Sequence, residues 1–268
     1  MPPYLLIPLL IAGSFLLGSI PFGFLIGKTK HIDIRTLGSG NTGASNLGRL
    51  LGKKYFALCF LLDFTKGLTP TLIAGSTLGT LGHMEMSPAN AWTWLAVMIA
   101  APLGHMFTPW LKFKGGKGVA TGLGALIGVI PALTLPAVGA AVIFAVVLTL
   151  WKMIGPASVA AAASLPLWTW QSFRLYETTQ ERRIGSQTQF ADLPASDLKQ
   201  MVAFQGTPFL IVATLLAIIV IYKHRDNLKR AALGTEPKIG APQSKTPSNS
   251  TPKAETLNES TDSITPTG

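Results

Sequence analysis

Charge is scarce in this sequence. Of its 268 residues, Asp, Glu, Lys and Arg make up only 13%, about half the quarter usual in a soluble protein. One cysteine, Cys59, excludes an intrachain disulfide framework and a cysteine-rich metal site. No G-x-x-x-x-G-K-S/T phosphate loop occurs, which argues against ATP or GTP hydrolysis, and there is no internal repeat. The N-terminus (Met1, Pro2, Pro3) lacks the basic region of a secretory signal, so its apolar stretch reads as a retained helix. What remains is apolar: 48% hydrophobic residues and a positive mean hydropathy. That balance excludes a soluble enzyme and a disordered chain, and predicts a polytopic membrane protein. The net charge of +10, from 22 basic and 12 acidic residues, points first to basic cytoplasmic loops and only second to an anionic ligand.

Uncharged or nearly uncharged stretches run over residues 1–27, 55–79, 86–111, 153–173 and 201–222, each long enough to cross a hydrocarbon core with about 20 residues. Residues 118–151 are too long for one pass and short for two, with Pro131 and Pro136 near the middle, where a tight turn is needed. Charge asymmetry decides between the alternatives. With the N-terminus outside and 118–151 a hairpin, 17 Lys and Arg lie inside and four outside (Arg174, Arg182, Arg183 and Lys199), with Lys66 in a span. One pass there makes the split 13 to eight, so the positive-inside rule favours seven crossings. The expected fold is all-α: a polytopic integral membrane helical bundle of seven transmembrane helices, N-terminus outside and C-terminus cytoplasmic. Residues 1–238 form the membrane-embedded domain, with an external loop at 173–200. From about Ile239 the chain turns to Pro, Ser, Thr, Lys and Glu and cannot bury enough surface to order itself, so 239–268 read as a disordered cytoplasmic tail.

Three polar segments fall on the inner side. The first, DIRTLGSGNTGASNLGRLLG from Asp33, sets Gly38, Gly40, Gly43 and Gly48 among Ser39, Asn41, Thr42, Ser45 and Asn46, between Arg35 and Arg49. Glycines let successive backbone N–H groups form an anion-binding concavity, and hydroxyls and a guanidinium add directed donors for phosphate oxygens. The second, FKGGKGVATG from Phe113, brackets Lys117 with Gly115, Gly116 and Gly118, follows Lys114, and opens into a helix whose N-terminus favours an anion. The third, YKHRDNLKRAALGTEPKIG, puts His224, Asn227 and Arg230 or Lys223 on one face of a helix continuing past the membrane; Gly234 ends it, and Glu236 caps it or pairs with a cation. The plainer alternatives are a solvated connector, a short basic turn and a juxtamembrane cluster for anionic lipid heads. Three such segments on one face favour a site for a phosphorylated ligand. Inside the spans, Asp63 and Lys66 are three apart and pair along one helical face, and His105, near the lysine loop, is a supporting candidate. Gly23 and Gly27 in the first span complete a G-x-x-x-G that lets another helix approach, and Pro21 kinks it.

GSIPFG in the first span, the Asp33 segment, LLDFTKG, GHMFTPWLKFKGGKGVATGLG and KHRDNLKRAALGTEPK together resemble the bacterial acyl-phosphate-dependent glycerol-3-phosphate acyltransferases, from about Leu17 to Lys238. The resemblance implies a multi-pass enzyme of the bacterial inner membrane, with its active site facing the cytoplasm. It implies transfer of the acyl group from acyl phosphate to the 1-hydroxyl of sn-glycerol 3-phosphate, giving lysophosphatidate and phosphate for phospholipid synthesis. Ser39 and Arg49 match the family's essential serine and arginine. The glycines around Lys117 match its glycerol-phosphate loop, with Lys117 a phosphate ligand. His224 and Asn227 match the polar pair of its third motif and Glu236 the structural acid. The implied catalytic set is thus Ser39, Arg49, Lys117, His224 and Asn227. Gly38, Gly40, Asn41, Thr42, Gly43, Asn46, Lys114, Gly115, Gly116 and Gly118 hold the phosphates, and Asp63, Lys66, His105 and Glu236 support them.

Acyl phosphate is an already activated mixed anhydride, so no cofactor, metal or nucleic acid is expected, only substrates, membrane lipids and a hand-over from an acyl-phosphate-forming enzyme. Cations and oriented donors are the chief demand. None of the four histidines has Asp five residues later, as H-x-x-x-x-D acyltransferases require; Lys229 stands there after His224. A substrate phosphate oxygen is therefore expected to take the hydroxyl proton. The competing class is a transporter or permease for organic phosphates, which shares a basic pocket and broken helices but should show two related halves.

Overall fold

The computed structural model describes residues 3–186 and 206–239. Asp192, Asp197 and Lys199, the start of the last expected span and the tail beyond residue 239 lie outside the described residues. Within them the chain is helical, with no strand. The helices are α1 (Pro3–Ser19), α2 (Phe22–Thr29), α3 (Ala44–Leu51), α4 (Lys53–Thr77), α5 (Pro88–Met106), α6 (Val119–Gly128), α7 (Thr134–Trp151), α8 (Ile154–Gly185), α9 (Thr207–Lys223) and α10 (Arg225–Ala232). Four stretches are long and apolar enough to cross a membrane: Tyr4–Thr29, Lys53–Thr77, Pro88–Leu111 and Thr134–Trp151. A fifth is reached if α9 and α10, bent by 54° at their junction, count as one. Leu5, Leu9, Leu16, Leu61, Leu150 and Ile218 face outward, each more than half exposed. An apolar exterior over a packed interior suits lipid rather than water.

The helices pack in pairs: α1 on α5, α4 on α6, α7 on α8 and α8 on α9. Small residues set the closest approaches, for a side chain on Gly18 or Gly104 would run into the backbone of Ala101 or Phe15 across the α1–α5 contact. Trp94, Leu95 and Met98 of α5 join Phe173 and Phe209 in the main core.

Several local expectations are refined. The first span is broken rather than only kinked, because Pro21 supplies no N–H. The carbonyls freed there are taken up from other helices: Thr108 donates to Ser19 O at 2.7 Å and Lys66 Nζ to Ile20 O at 2.7 Å. The glycine-rich segment after Asp33 is a loop only to Gly43, and α3 occupies its second half. Residues 118–151 divide into two helices, α6 and α7, about a turn at 129–133, but α6, with 10 residues, is about 15 Å long, half a hydrocarbon core. The segment from Phe173, expected as external loop, instead continues α8 to Gly185. No Pro or Gly interrupts residues 167–184, Arg174 pairs with Glu177 at 3.1 Å, and Tyr176 donates to Glu85 at 2.6 Å. The last span does not run straight on: its helix bends at His224. Val220 O accepts from the His224 ring and Tyr222 O from Arg225, so these terminal carbonyls have side-chain partners.

Candidate active site

The first loop is built around Asn46. Its buried amide donates to Ile34 O at 2.9 Å and Leu37 O at 3.1 Å, and its Oδ1 accepts from Ser39 N–H at 2.9 Å. Gly38 takes φ +58° directly against that side chain, a position a Cβ would crowd. Asn41 Oδ1 accepts from Gly43 N–H at 2.9 Å, closing a second turn. Gly40 also has positive φ, and Thr42 is buried, its carbonyl against Gly23 of α2. Ser39 is left exposed at the tip. Among the described residues no basic side chain is hydrogen-bonded to its hydroxyl, so it lacks the adjacent base that a nucleophilic serine needs. Arg49 follows on α3, half-buried, while Arg35 is occupied by Asp33 at 2.6 Å.

The second loop folds back on the end of α5. Gly115 N–H donates to Met106 O and Gly116 N–H to His105 O, both at 3.2 Å. Gly118, at φ +77°, starts α6 and rests on the Met106 side chain. Lys114 is exposed and Lys117 half-buried.

The third segment meets the second at the same end of the bundle. Lys223 Nζ lies 4.2 Å from the Phe107 ring centre. Buried His224 places Nδ1 2.8 Å from Val220 O. A carbonyl only accepts, so Nδ1 carries the proton, and Nε2 of the neutral ring keeps a free lone pair. Asn227 is also buried. Its Nδ2 donates to Glu236, whose carboxylate accepts from Arg230 at 2.9 Å, while Asn227 Oδ1 has no hydrogen-bond partner among the described residues. Gly234, at φ +70°, ends α10 and turns the chain so that Glu236 returns to it.

Charge links the three segments. Lys117 feels the charges of Arg230, Glu236, Asp226 and Arg49, and His224 feels that of Lys117. Burial first, and then Arg230, bring Lys117 down to about 8. Burial also lowers Arg49, partly offset by Glu236, but a guanidinium remains charged. Arg49, Lys117, His224, Asn227 and Glu236 are therefore brought into one neighbourhood, while Ser39 and Lys114 are exposed on their own loops.

Asp63, Lys66 and His105 lie beneath it. Lys66 Nζ is 2.8 Å from Asp63 Oδ1 and His105 Nδ1 3.6 Å from the same oxygen, all three residues buried. The i, i+3 pairing expected within α4 is present; its extension to α5 is not visible in the sequence spacing. Sequence reasoning also missed Asp226, whose charge acts on Lys117, and Gly155, where a Cβ would collide with Asn227. The Gly-Pro opening of α8 was the available signal for the latter.

Fold and site together define a protein that is helical over its described residues, with apolar helices long enough to cross a membrane and a cluster of cations drawn from three separate segments. The comparisons then specify the family. Residues 8–234 match the glycerol-3-phosphate acyltransferase family, and the chain belongs to it. A glycerol-3-phosphate acyltransferase of Trichlorobacter lovleyi is 40% identical over 233 residues, spanning 86% of this chain and 96% of the relative. One from Geotalea daltonii is 36% identical over 228 residues, 85% and 94% of the two chains. Among solved structures, PlsY, an integral membrane glycerol 3-phosphate acyltransferase, superposes in its glycerol 3-phosphate form with a TM-score of 0.66 at 32% identity, covering 87% of this chain and 96% of that one. Its lysophosphatidic acid form gives 0.64 at the same identity, covering 87% and 95%.

Proposed function

We propose that this glycerol-3-phosphate acyltransferase takes its acyl group from acyl phosphate and passes it to the 1-hydroxyl of sn-glycerol 3-phosphate, releasing lysophosphatidate and inorganic phosphate at the cytoplasmic face of a bacterial inner membrane. The observation that carries this reading is the convergence of Arg49, Lys117, Arg230 and His224 from three loops. Two phosphorylated substrates bring several negative charges together, and such a cluster offsets their repulsion and holds the hydroxyl against the carbonyl.

In the step itself the glycerol oxygen attacks the acyl carbon, the bond from that carbon to the bridging phosphate oxygen breaks, and the hydroxyl proton leaves on a phosphate oxygen. Lys117 and Arg49 stabilise phosphate charge. The free Nε2 of His224 and the unpartnered Oδ1 of Asn227 orient hydroxyl groups by accepting from them. The Ser39 hydroxyl and the amides of Gly38, Asn41 and Thr42 supply rim donors, the Gly40 and Gly43 amides being used to close the loop's own turns, with Lys114, Gly115, Gly116 and Gly118 on the opposite wall. Asn46 and Glu236 keep those loops in shape. The membrane arrangement that fits this chemistry has seven crossings with α6 and α7 as a hairpin, the N-terminus outside, and residues 239–268 as a cytoplasmic tail. The donor reaches the pocket from the enzyme that forms it.

A permease for organic phosphates is the competing class, favoured only by the broken first span. Labelled glycerol 3-phosphate supplied outside sealed vesicles carrying the protein and acyl phosphate separates the two. Label that partitions into the lipid fraction supports acyl transfer. Label that accumulates unmodified in the lumen contradicts it.

A further inference from the structure

Asp63, Lys66 and His105 are buried groups that the chemical step does not use, yet through His105 they reach the lysine loop. His105 closes α5, and its main-chain carbonyl accepts from Gly116 N–H at 3.2 Å. Its ring lies against the same residue: a Cβ on Gly116 would run into His105 Nε2. The next residue along is Lys117. On its other side the ring faces Asp63, Nδ1 to Oδ1 at 3.6 Å, and that carboxylate is also held by Lys66 at 2.8 Å. Lys66 is anchored in turn on Ile20 O, in the break of the first span. A continuous line of contacts thus runs from the broken helix through Lys66, Asp63 and His105 to the backbone of Gly116. All three side chains are buried, so the line is shut off from water.

We propose that Asp63 and His105 are positioning residues for the phosphate-binding lysine. The carboxylate fixes the imidazole, the imidazole forms the floor under Gly116, and that floor sets where Lys117 carries its charge. Without it the loop keeps its two backbone hydrogen bonds to the end of α5 but loses the contact that fixes its height. Glycine at 116 is required because the His105 ring fills the space a side chain would take. Misplacing a cation by about 1 Å costs up to a hundredfold in rate, so the pair acts through Lys117 rather than on the substrate. This inference rests on the acyltransferase reading above.

The test is a cycle of Gly116→Ala, His105→Ala and the double variant, reading KM for glycerol 3-phosphate, kcat and thermal stability. Each single change raises KM for glycerol 3-phosphate about tenfold or more. The double variant is no worse than the worse single one, because removing the ring makes room for the new methyl. Costs that simply multiply overturn the proposal, as does an unchanged KM in His105→Ala. Should His105→Ala not fold, Asp63→Asn combined with Lys66→Met removes both buried charges together and leaves no orphan ion. A raised KM for glycerol 3-phosphate at unchanged stability then supports the proposal, and an unchanged KM overturns it. Wild-type protein run in parallel keeps the two readings apart. If it makes no lysophosphatidate, the acyltransferase reading has failed; if it does and the cycle is multiplicative, only the positioning role has.

Discussion

Lys117 holds its charge where burial and the neighbouring Arg230 both oppose it, and its pKa falls to about 8. The direction fixes a sign. The ammonium is present below that value and lost above it, so a dianionic phosphate is gripped at neutral pH and released as the solution becomes alkaline. KM for glycerol 3-phosphate, followed from pH 7 to 10, should rise through about 8 and then climb about tenfold per unit. Lys117→Arg, which stays charged throughout, should flatten that rise while changing the KM at pH 7 less than Lys117→Ala does. A profile identical in wild type and Lys117→Arg contradicts the assignment. At this scale the sequence was partly legible. Asp63 and Lys66 could be paired because three residues on a helix return to one face. The contact of His105 with Asp63 spans two helices, and no local spacing encodes it.

The helix ends carry most of the design at the next scale up. Gly118 takes a left-handed φ of +77° at the start of α6, while Gly122, one turn later, has open space where a Cβ would stand. Gly118→Ala should cost about 1 kcal/mol or more in backbone strain and lower kcat/KM for glycerol 3-phosphate by about tenfold. Gly122→Ala should leave activity unchanged and raise stability by about 0.5 kcal/mol. Equal effects of the two would mean that the turn before α6 does not shape the site. The apolar stretches were readable from composition alone, since about 20 uncharged residues have few alternatives. The breaks at Pro21 and near Pro131 were signalled by proline, but the behaviour of the last two long helices was not. The bend at His224 depends on side chains taking the carbonyls of Val220 and Tyr222, and the extension of α8 past Phe173 on contacts such as Tyr176 with Glu85. Both are choices between polar partners that hydropathy does not register.

For the whole molecule, the site works only if its three loops share one side of the bilayer. The proposed arrangement puts the basic residues at 28–54, 112–117, 152 and 223–238 all on the cytoplasmic side. Reporter fusions after Lys152 and after Lys229 should report the same compartment as each other, and a fusion after Ser186 the opposite one; fusions after Lys152 and Ser186 on one side would contradict the seven-crossing arrangement. Charge asymmetry pointed to this arrangement from the sequence. Two short helices within 118–151 were legible as well, from the glycines that open α6 and the prolines near the middle; the fold-back of the lysine loop on His105 and Met106 was not, because it joins residues through backbone hydrogen bonds that spacing does not encode. The most direct measurement of the account is a product balance: purified protein with palmitoyl phosphate and labelled glycerol 3-phosphate, no thioester donor present. The account predicts lysophosphatidate and inorganic phosphate in equal amounts, with both falling together, about a hundredfold, in Lys117→Ala. Lysophosphatidate formed only from a thioester donor, or phosphate released without it, would contradict the account.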